Sequence, residues 1–266
     1  MGLMTAFIGR VPLRFTTRHN VNYYSGIKKI LLPLDALSLR LSTTVVAISN
    51  AVKNFYENSI WYKGVNFQVI YNGIDLDRFF KIKRKERNNA SLYFLTVASL
   101  TPKKGHLQFL EILKNLKELE YEWHLVGDGP EKPHIEDRAR ELGLEKNIIF
   151  HGVRKDVENF YQEADLFILP SLWEGFGLVL IEAMAAGVPV FASDVDGVKE
   201  IVKDGKNGVL FNYLKNDNAE RLRAVVDNKG LIKSLSNQGM VESEKFSIEE
   251  MKNNYLIVYK INFKNF

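Results

Sequence analysis

The 266-residue chain contains no cysteine. Disulfide frameworks and thiolate metal sites are therefore excluded, and a reducing compartment is compatible with the sequence. It also lacks an uncharged apolar run long enough to read as a membrane-spanning helix. The longest nearly uncharged run, from Pro170 to Ser193, keeps Glu174 and Glu182 and is broken by Gly187-Val188-Pro189. The apolar opening, MGLMTAFIGRVPL, has no basic leader and no small-residue cleavage site, so a secretory signal is not expected. It reads as a buried element belonging to something larger. There is no His/Cys ligand cluster, no G-x-S-x-G elbow, no internal repeat and no low-complexity tract. Basic residues do not interleave with aromatics, so nucleic acid is not an expected partner.

What is present suits a soluble globular protein with a substantial core: 46% hydrophobic and 26% charged residues. The length fits one large domain or two modest ones. A net charge of +4 suits a nucleotide phosphate or an anionic membrane surface, and equally suits plain solubility.

Short apolar runs alternate with amphipathic stretches nearly throughout. Before residue 80 the sequence predicts strands in LRFTT, TTVVAIS and FQVIYNG. It also predicts a helix from Ser25 to Leu39 and a helix capped by Ser49. Residues 81–90 are charged and read as a linker. A regular βα series then runs to about residue 202, and the tail reads as helical. Apolar strands alternating with helices imply a parallel sheet covered on both faces. The expected division is a partial first domain (1–80), the linker, a complete doubly wound domain (91–245) and a closing helix (246–266) that packs back toward the first. Three strands are few for a doubly wound sheet, so the first domain reads as incomplete. An unpaired edge and an apolar face would then favour self-association.

Three stretches place polar groups where strands end, which is the edge at which open α/β sheets bind ligands. In WEGFGLVLIEAMAAG, Glu174 precedes a helix expected to begin near Phe176 or Gly177, and Glu182 lies within it. Glycine amides at a helix start suit a phosphate, and carboxylates accept from paired sugar hydroxyls. The ordinary reading is that Glu174 caps the helix and Glu182 is a solvated surface acid; the residues alone leave both open. In VASLTPKKGH, Lys104 is placed to reach a diphosphate, or is an exposed lysine beside Lys103. In RFTTRHN, His19 follows a strand end and is either a substrate contact or structural. Weaker features are the turn GDGP, the pair Asp194 and Asp196, and the cluster Lys81, Lys83, Arg84, Lys85 and Arg87. The aspartates suit a divalent cation or simply a polar loop. The basic cluster suits anionic lipid or a solvated linker.

Together these stretches resemble one family. The segment FHGVRKDVENFYQEADLFILPSLWEGFGLVLIEAMAAGVPVFASDVDGVKEIVKDGKNGVLF is similar to the C-terminal domain signature of retaining GT-B glycosyltransferases of the GT4 type. AISNAVKNF, VIYNGIDLDRF, KKGH and LVGDGPE match in the expected order. The resemblance runs from about residue 10 to about residue 260. It implies an α/β, GT-B-like fold with one complete Rossmann-like domain and a partial one before it. It further implies a nucleotide-diphosphate-sugar donor such as a UDP-sugar, a polysaccharide or lipid-linked acceptor, no required metal, and a cytoplasmic location at the inner face of a membrane. Glu174 would contact the donor sugar and Glu182 the ribose. Gly175, Phe176, Gly177 and Leu178 would line the sugar and diphosphate, Lys104 would hold the diphosphate, and Val153 would lie beside the base. His19 matches the histidine near the transferred sugar. In the family an arginine usually stands where this chain has Ser99, and the first domain normally begins well upstream with a glycine-rich loop. The expectation is therefore either a truncated chain or a missing half supplied by a partner, with self-association as the other partner expectation. The resemblance leaves room for two other functions, a donor-binding subunit or inactive remnant and, less favoured, a sugar-nucleotide epimerase.

Overall fold

The computed structural model describes residues 2–20, 31–85, 91–116 and 118–264. In chain order the helices and strands are α1 (Gly2–Ile8), β1 (Phe15–Arg18), α2 (Leu32–Arg40), β2 (Thr44–Ala47), α3 (Asn50–Glu57), β3 (Phe67–Val69) and α4 (Asp77–Phe80). There follow β4 (Leu92–Val97), α5 (His106–Leu113), β5 (Tyr121–Val126), α6 (Lys132–Glu141), β6 (Ile148–Gly152), α7 (Val157–Glu163), β7 (Leu166–Leu169), α8 (Leu178–Ala185) and β8 (Val190–Ser193). The last are α9 (Asp196–Lys199), β9 (Val209–Phe211), α10 (Asn218–Val226), α11 (Lys229–Ser243) and α12 (Ile248–Lys264). The chain forms two compact units, Met1–Gly73 with Ile248–Phe266, and Ile74–Ser247.

The first unit holds a parallel sheet in the order β1-β2-β3. β2 is wholly buried and β-branched through Thr44, Val45 and Val46, as a central strand covered on both faces requires. Ser49 caps α3 as its sequence predicts, its hydroxyl accepting from the Val52 amide at 3.1 Å. α12 closes this unit by packing Met251, Tyr255 and Val258 against Phe15, Val46 and Ile70. The predicted helix from Ser25 begins outside the described residues; from Leu32 it is present as α2.

The second unit holds six parallel strands in the order β6-β5-β4-β7-β8-β9. Chain progress runs outward from β4 to β6, then returns beside β4 at β7 and runs outward the other way. Strand order therefore reverses between β4 and β7. The stretch 81–85, read above as linker, lies within this unit. Lys81 pairs with Asp77 at 3.7 Å, Lys85 pairs with Glu163 at 3.1 Å, and Arg84 donates to the Tyr161 carbonyl. Residues 86–90, Arg87 among them, lie outside the described residues.

One polar relay crosses the core at the reversal. The Trp123 indole N–H donates to the Thr96 hydroxyl at 2.9 Å, and that hydroxyl donates to the Ile168 carbonyl at 2.7 Å. Trp123 and Ile168 are fully buried and Thr96 nearly so. Thr96→Val keeps the shape and removes the hydroxyl, so an indole N–H and a carbonyl lose their partner together. The expected cost is about 2–4 kcal/mol of unfolding free energy, read by urea denaturation. A loss within about 0.5 kcal/mol of wild type would show that the relay contributes little.

Candidate functional site

The loops that leave β4 and β7 meet at the strand-order reversal, and short contacts stitch them together. The Leu172 amide donates to the Lys103 carbonyl at 2.9 Å. The Tyr213 hydroxyl lies 2.6 Å from the Pro170 carbonyl and 3.3 Å from that of Gly105. Burial pushes the Tyr213 hydroxyl far above its ordinary range, so it stays a donor. The approach is close enough to demand glycine. Gly105 has φ +69°, and a Cβ there would stand 2.0 Å from the Pro170 oxygen. On the other side α9 comes in through Gly197, where a Cβ would stand 2.3 Å from the Glu174 carbonyl.

This geometry joins Lys104 to Glu174. The Lys104 ammonium lies 2.6 Å from Glu174 Oε2, and both side chains are only 14% exposed. The buried Ser171 hydroxyl donates to the same oxygen at 3.2 Å. Ser193 in turn donates to the Ser171 carbonyl at 2.5 Å, which fixes that loop to the end of β8. Glu174 is therefore not a helix cap. The residue preceding α8 is Gly177, at φ +95°, and it provides no side-chain cap. α8 starts at Leu178, one or two residues later than its sequence predicts, because the left-handed Gly177 breaks the helical path.

Glu182 lies in α8 and is not a solvated surface acid. Tyr161 of α7, itself fully buried, donates to Glu182 Oε2 at 2.8 Å. Burial raises the Glu182 carboxyl above its usual range; the Tyr161 hydrogen bond and the Arg78 charge pull it back, and Glu158 pushes it up. Arg78 and Glu158 are bonded to each other. Among the described residues, no hydrogen bond reaches Oε1 of Glu174 or of Glu182, so each acid keeps an acceptor atom available.

The other candidates are placed as follows. Gly175, Phe176 and Gly177 are buried between Glu174 and α8. The Phe176 ring turns away into an edge contact with Phe246, so only its backbone can meet a ligand. Ser99 is exposed in the loop after β4, its hydroxyl 3.4 Å from that of Thr101. Val153, after β6, is 79% exposed. His19 is exposed after β1 in the first unit. Asp194 and Asp196 share Lys199 at 3.5 and 3.2 Å.

Ser171, Tyr161, Tyr213 and the Arg78–Glu158 pair escaped the reading from sequence, since each looks there like an ordinary core or loop residue. So did His106, which begins α5 directly after Gly105. It is 2% exposed, and neither ring nitrogen has a partner among the described residues. Burial first, and then the Lys104 charge, lowers it to about 4, so it is neutral at pH 7. A 700 Å³ groove between α5 and α6 shares no residue with the loops at the reversal.

Among the described residues, no helix is long and apolar enough to cross a membrane, and no group of three or more His, Asp or Glu side chains could hold a metal.

Residues 77–240 match the family model described as glycosyl transferases group 1. The chain is 28% identical over 251 residues to UDP-Gal:alpha-D-GlcNAc-diphosphoundecaprenol alpha-1,3-galactosyltransferase of Escherichia coli, a match covering 87% of this chain and 64% of that protein. Among solved structures it is similar to Anabaena HepE in complex with UDP and glucose, with a TM-score of 0.85 at 22% identity, covering 97% of this chain and 74% of that one. It is also similar to sucrose-phosphate synthase from Thermosynechococcus elongatus, with a TM-score of 0.82 at 21% identity, covering 95% and 68%. These likenesses bear out the α/β, GT-B-like fold class expected from sequence. The chain spans more than half but less than two thirds of the length of the curated relatives it matches.

Proposed function

The chain belongs to the glycosyl transferases group 1 family, and from that premise we propose that it serves a GT4-type transferase that moves a sugar, with retention, from a nucleotide-diphosphate donor. The observation that carries the reading is the Lys104–Glu174 pair at the strand-order reversal, with Ser171 behind it and Glu182 nearby on α8. At such a crevice a cation faces the diphosphate, and free carboxylate oxygens face hydroxyls.

Lys104 then moves from Glu174 to the diphosphate, and together with the N-terminal amides of α8 it stabilises the charge that develops on the leaving group. Glu174, released from Lys104 and still held by Ser171 at Oε2, takes hydroxyls of the donor sugar through Oε1. Glu182 takes the ribose, and the exposed loop at Val153 lies beside the base. The proposed reaction needs no carboxylate as a covalent nucleophile, which separates it from a two-carboxylate hydrolase. The reaction is proposed to need no resident metal; transfer that survives EDTA treatment is the expected result. His19 keeps the role that the resemblance implies, beside the transferred sugar.

The Escherichia coli relative is named for a UDP-sugar donor and a diphosphoundecaprenol-linked acceptor. That supports a UDP-sugar and a lipid-linked or polysaccharide acceptor here; we further propose that transfer takes place on the cytoplasmic face of a membrane, by peripheral contact. A second reading has its own support. Ser99 stands where the family usually has an arginine, and with that diphosphate cation replaced the chain would bind donor and fall short in transfer.

Titration with UDP, GDP and ADP, followed by incubation of the corresponding nucleotide-diphosphate sugars with lipid-linked and saccharide acceptors, separates the outcomes. Binding of at least one, with anomeric retention in any product by NMR, is the expected result; binding without product favours the second reading. Glu182→Ala is expected to weaken that nucleotide about tenfold or more, the worth of hydrogen bonds to a charged acceptor. An unchanged dissociation constant would remove Glu182 from the ribose.

A further inference from the structure

We infer that Tyr161 is a positioning residue for the nucleotide end of the site, its hydroxyl holding Oε2 of Glu182 so that Oε1 is presented to the ligand. The inference rests on the reading that Glu182 receives the ribose. Packing alone does not ask for a tyrosine at this place. The ring is fully buried between Phe79, edge-on at 5.8 Å, and Phe167, tilted at 5.7 Å, and a phenylalanine would fill the same space. A hydroxyl brought into such a place is unfavourable unless it is bonded. Its near partner is the carboxylate at 2.8 Å; the Val179 carbonyl, at 3.4 Å, is at the limit of a hydrogen bond.

Chemistry fixes the direction of that bond. Burial keeps the Tyr161 hydroxyl protonated far beyond its ordinary range, so it can only donate to the carboxylate. Donation favours the ionised carboxylate, against a burial that disfavours it. Arg78 of α4 assists and Glu158 of α7 opposes; with Tyr161 these are the charged or titratable groups acting on Glu182 among the described residues. Glu174 repeats the plan. Its Oε2 takes the hydroxyl of Ser171, which is as fully buried as Tyr161, and its Oε1 is left over. Both acids of the pair are thus anchored through one oxygen by a hydroxyl from the protein interior.

The test compares wild type with Tyr161→Phe, Glu182→Gln and the double variant, each first shown by thermal unfolding to be folded. Two readouts follow. The first needs no ligand: ¹³C NMR of the glutamate side-chain carboxyls, with the Glu182 signal assigned by its loss in Glu182→Gln. In Tyr161→Phe the Glu182 midpoint should move to higher pH, because a donor that favours the ionised form is gone. An unmoved midpoint overturns the inference whatever the nucleotide does. The second is the dissociation constant of UDP, with GDP and ADP in parallel, across pH. Tyr161→Phe should weaken the best of them about fivefold to tenfold at neutral pH, the net worth of an ordinary hydrogen bond, because the ligand then meets a carboxylate that is no longer held in place. Binding should also decay at a higher pH than in wild type as the solution is acidified. The double variant should bind no worse than Glu182→Gln, since Tyr161 acts only through that carboxylate. Additive losses, as from a merely structural tyrosine, overturn the inference. If wild type binds no nucleoside diphosphate, the ribose reading fails, and the carboxyl titration still decides whether Tyr161 holds Glu182.

Discussion

Lys104→Met will cut sugar transfer by about a hundredfold or more, the range for removing one preorganised group from developing charge; in a chain that only binds donor, it will weaken nucleoside diphosphate about tenfold or more, the worth of a hydrogen bond to a charged group. The size follows from what else stands there. On the proposed reading Ser99 occupies the place where the family usually has an arginine, so no guanidinium at that position would share the diphosphate with the Lys104 ammonium. Lys103 is next in chain but exposed, whereas Lys104 is the lysine held at Glu174. A nucleoside without phosphates should bind the variant as it binds wild type, because the loss is confined to the diphosphate. Isothermal titration with UDP and uridine, run in parallel on both proteins, makes that comparison. Equal loss for both ligands would show that the crevice had collapsed rather than lost a cation.

The same variant separates catalysis from folding. With Lys104 absent, Glu174 keeps the Ser171 hydroxyl but loses its counter-charge in a nearly enclosed place. Breaking such a pair destabilises because one charge is left uncompensated. Glu174→Gln is the gentler probe, since the amide keeps acceptor capacity for Ser171 and leaves Lys104 ready for the diphosphate. It should therefore fall mainly in turnover of the sugar, with nucleotide affinity close to wild type. The two variants dissect one ion pair into a diphosphate half and a sugar half.

Much of the second unit was legible because buried parallel strands are written as apolar runs, such as LYFLTV and LFIL, set between helical stretches. Ser49 was legible as a cap because a capping hydroxyl is a local device. The partnership of Lys104 with Glu174 was not. They lie 70 residues apart, and only the sheet order, which places β7 beside β4, brings their loops together. Periodicity reports which residues face inward; it carries no information about which strand lies next to which. Tyr161, Ser171 and Tyr213 were hidden for a related reason. Each is polar only at one atom, and whether that atom finds a carboxylate or a carbonyl depends on a neighbour distant in sequence. The start of α8 was missed narrowly, because a glycine that lowers helix propensity does not by itself declare a left-handed backbone.

Gly105→Ala should be among the most damaging single methyl groups in the second unit. Two effects add there. The backbone at φ +69° disfavours any side chain, and the new Cβ would stand 2.0 Å from the Pro170 oxygen. That oxygen cannot step aside freely, because the Tyr213 hydroxyl holds it at 2.6 Å and lies 3.1 Å from the same Cβ position. Relief requires the loops after β4 and β7 to separate, and those loops carry Lys104 and Glu174. Gly143→Ala supplies the comparison. It has nearly the same backbone, φ +71°, but nothing within 4 Å of its Cβ. It should cost about 1–2 kcal/mol, the left-handed penalty alone. Gly105→Ala should exceed it by at least about 2 kcal/mol in urea unfolding, the steric term of an overpacked contact. It should also lose nucleotide binding under conditions where Gly143→Ala keeps it. Equal destabilisation by the two alanines would mean that the loops yield easily, and the rigid crevice inferred from the Pro170–Tyr213 contact would have to be abandoned.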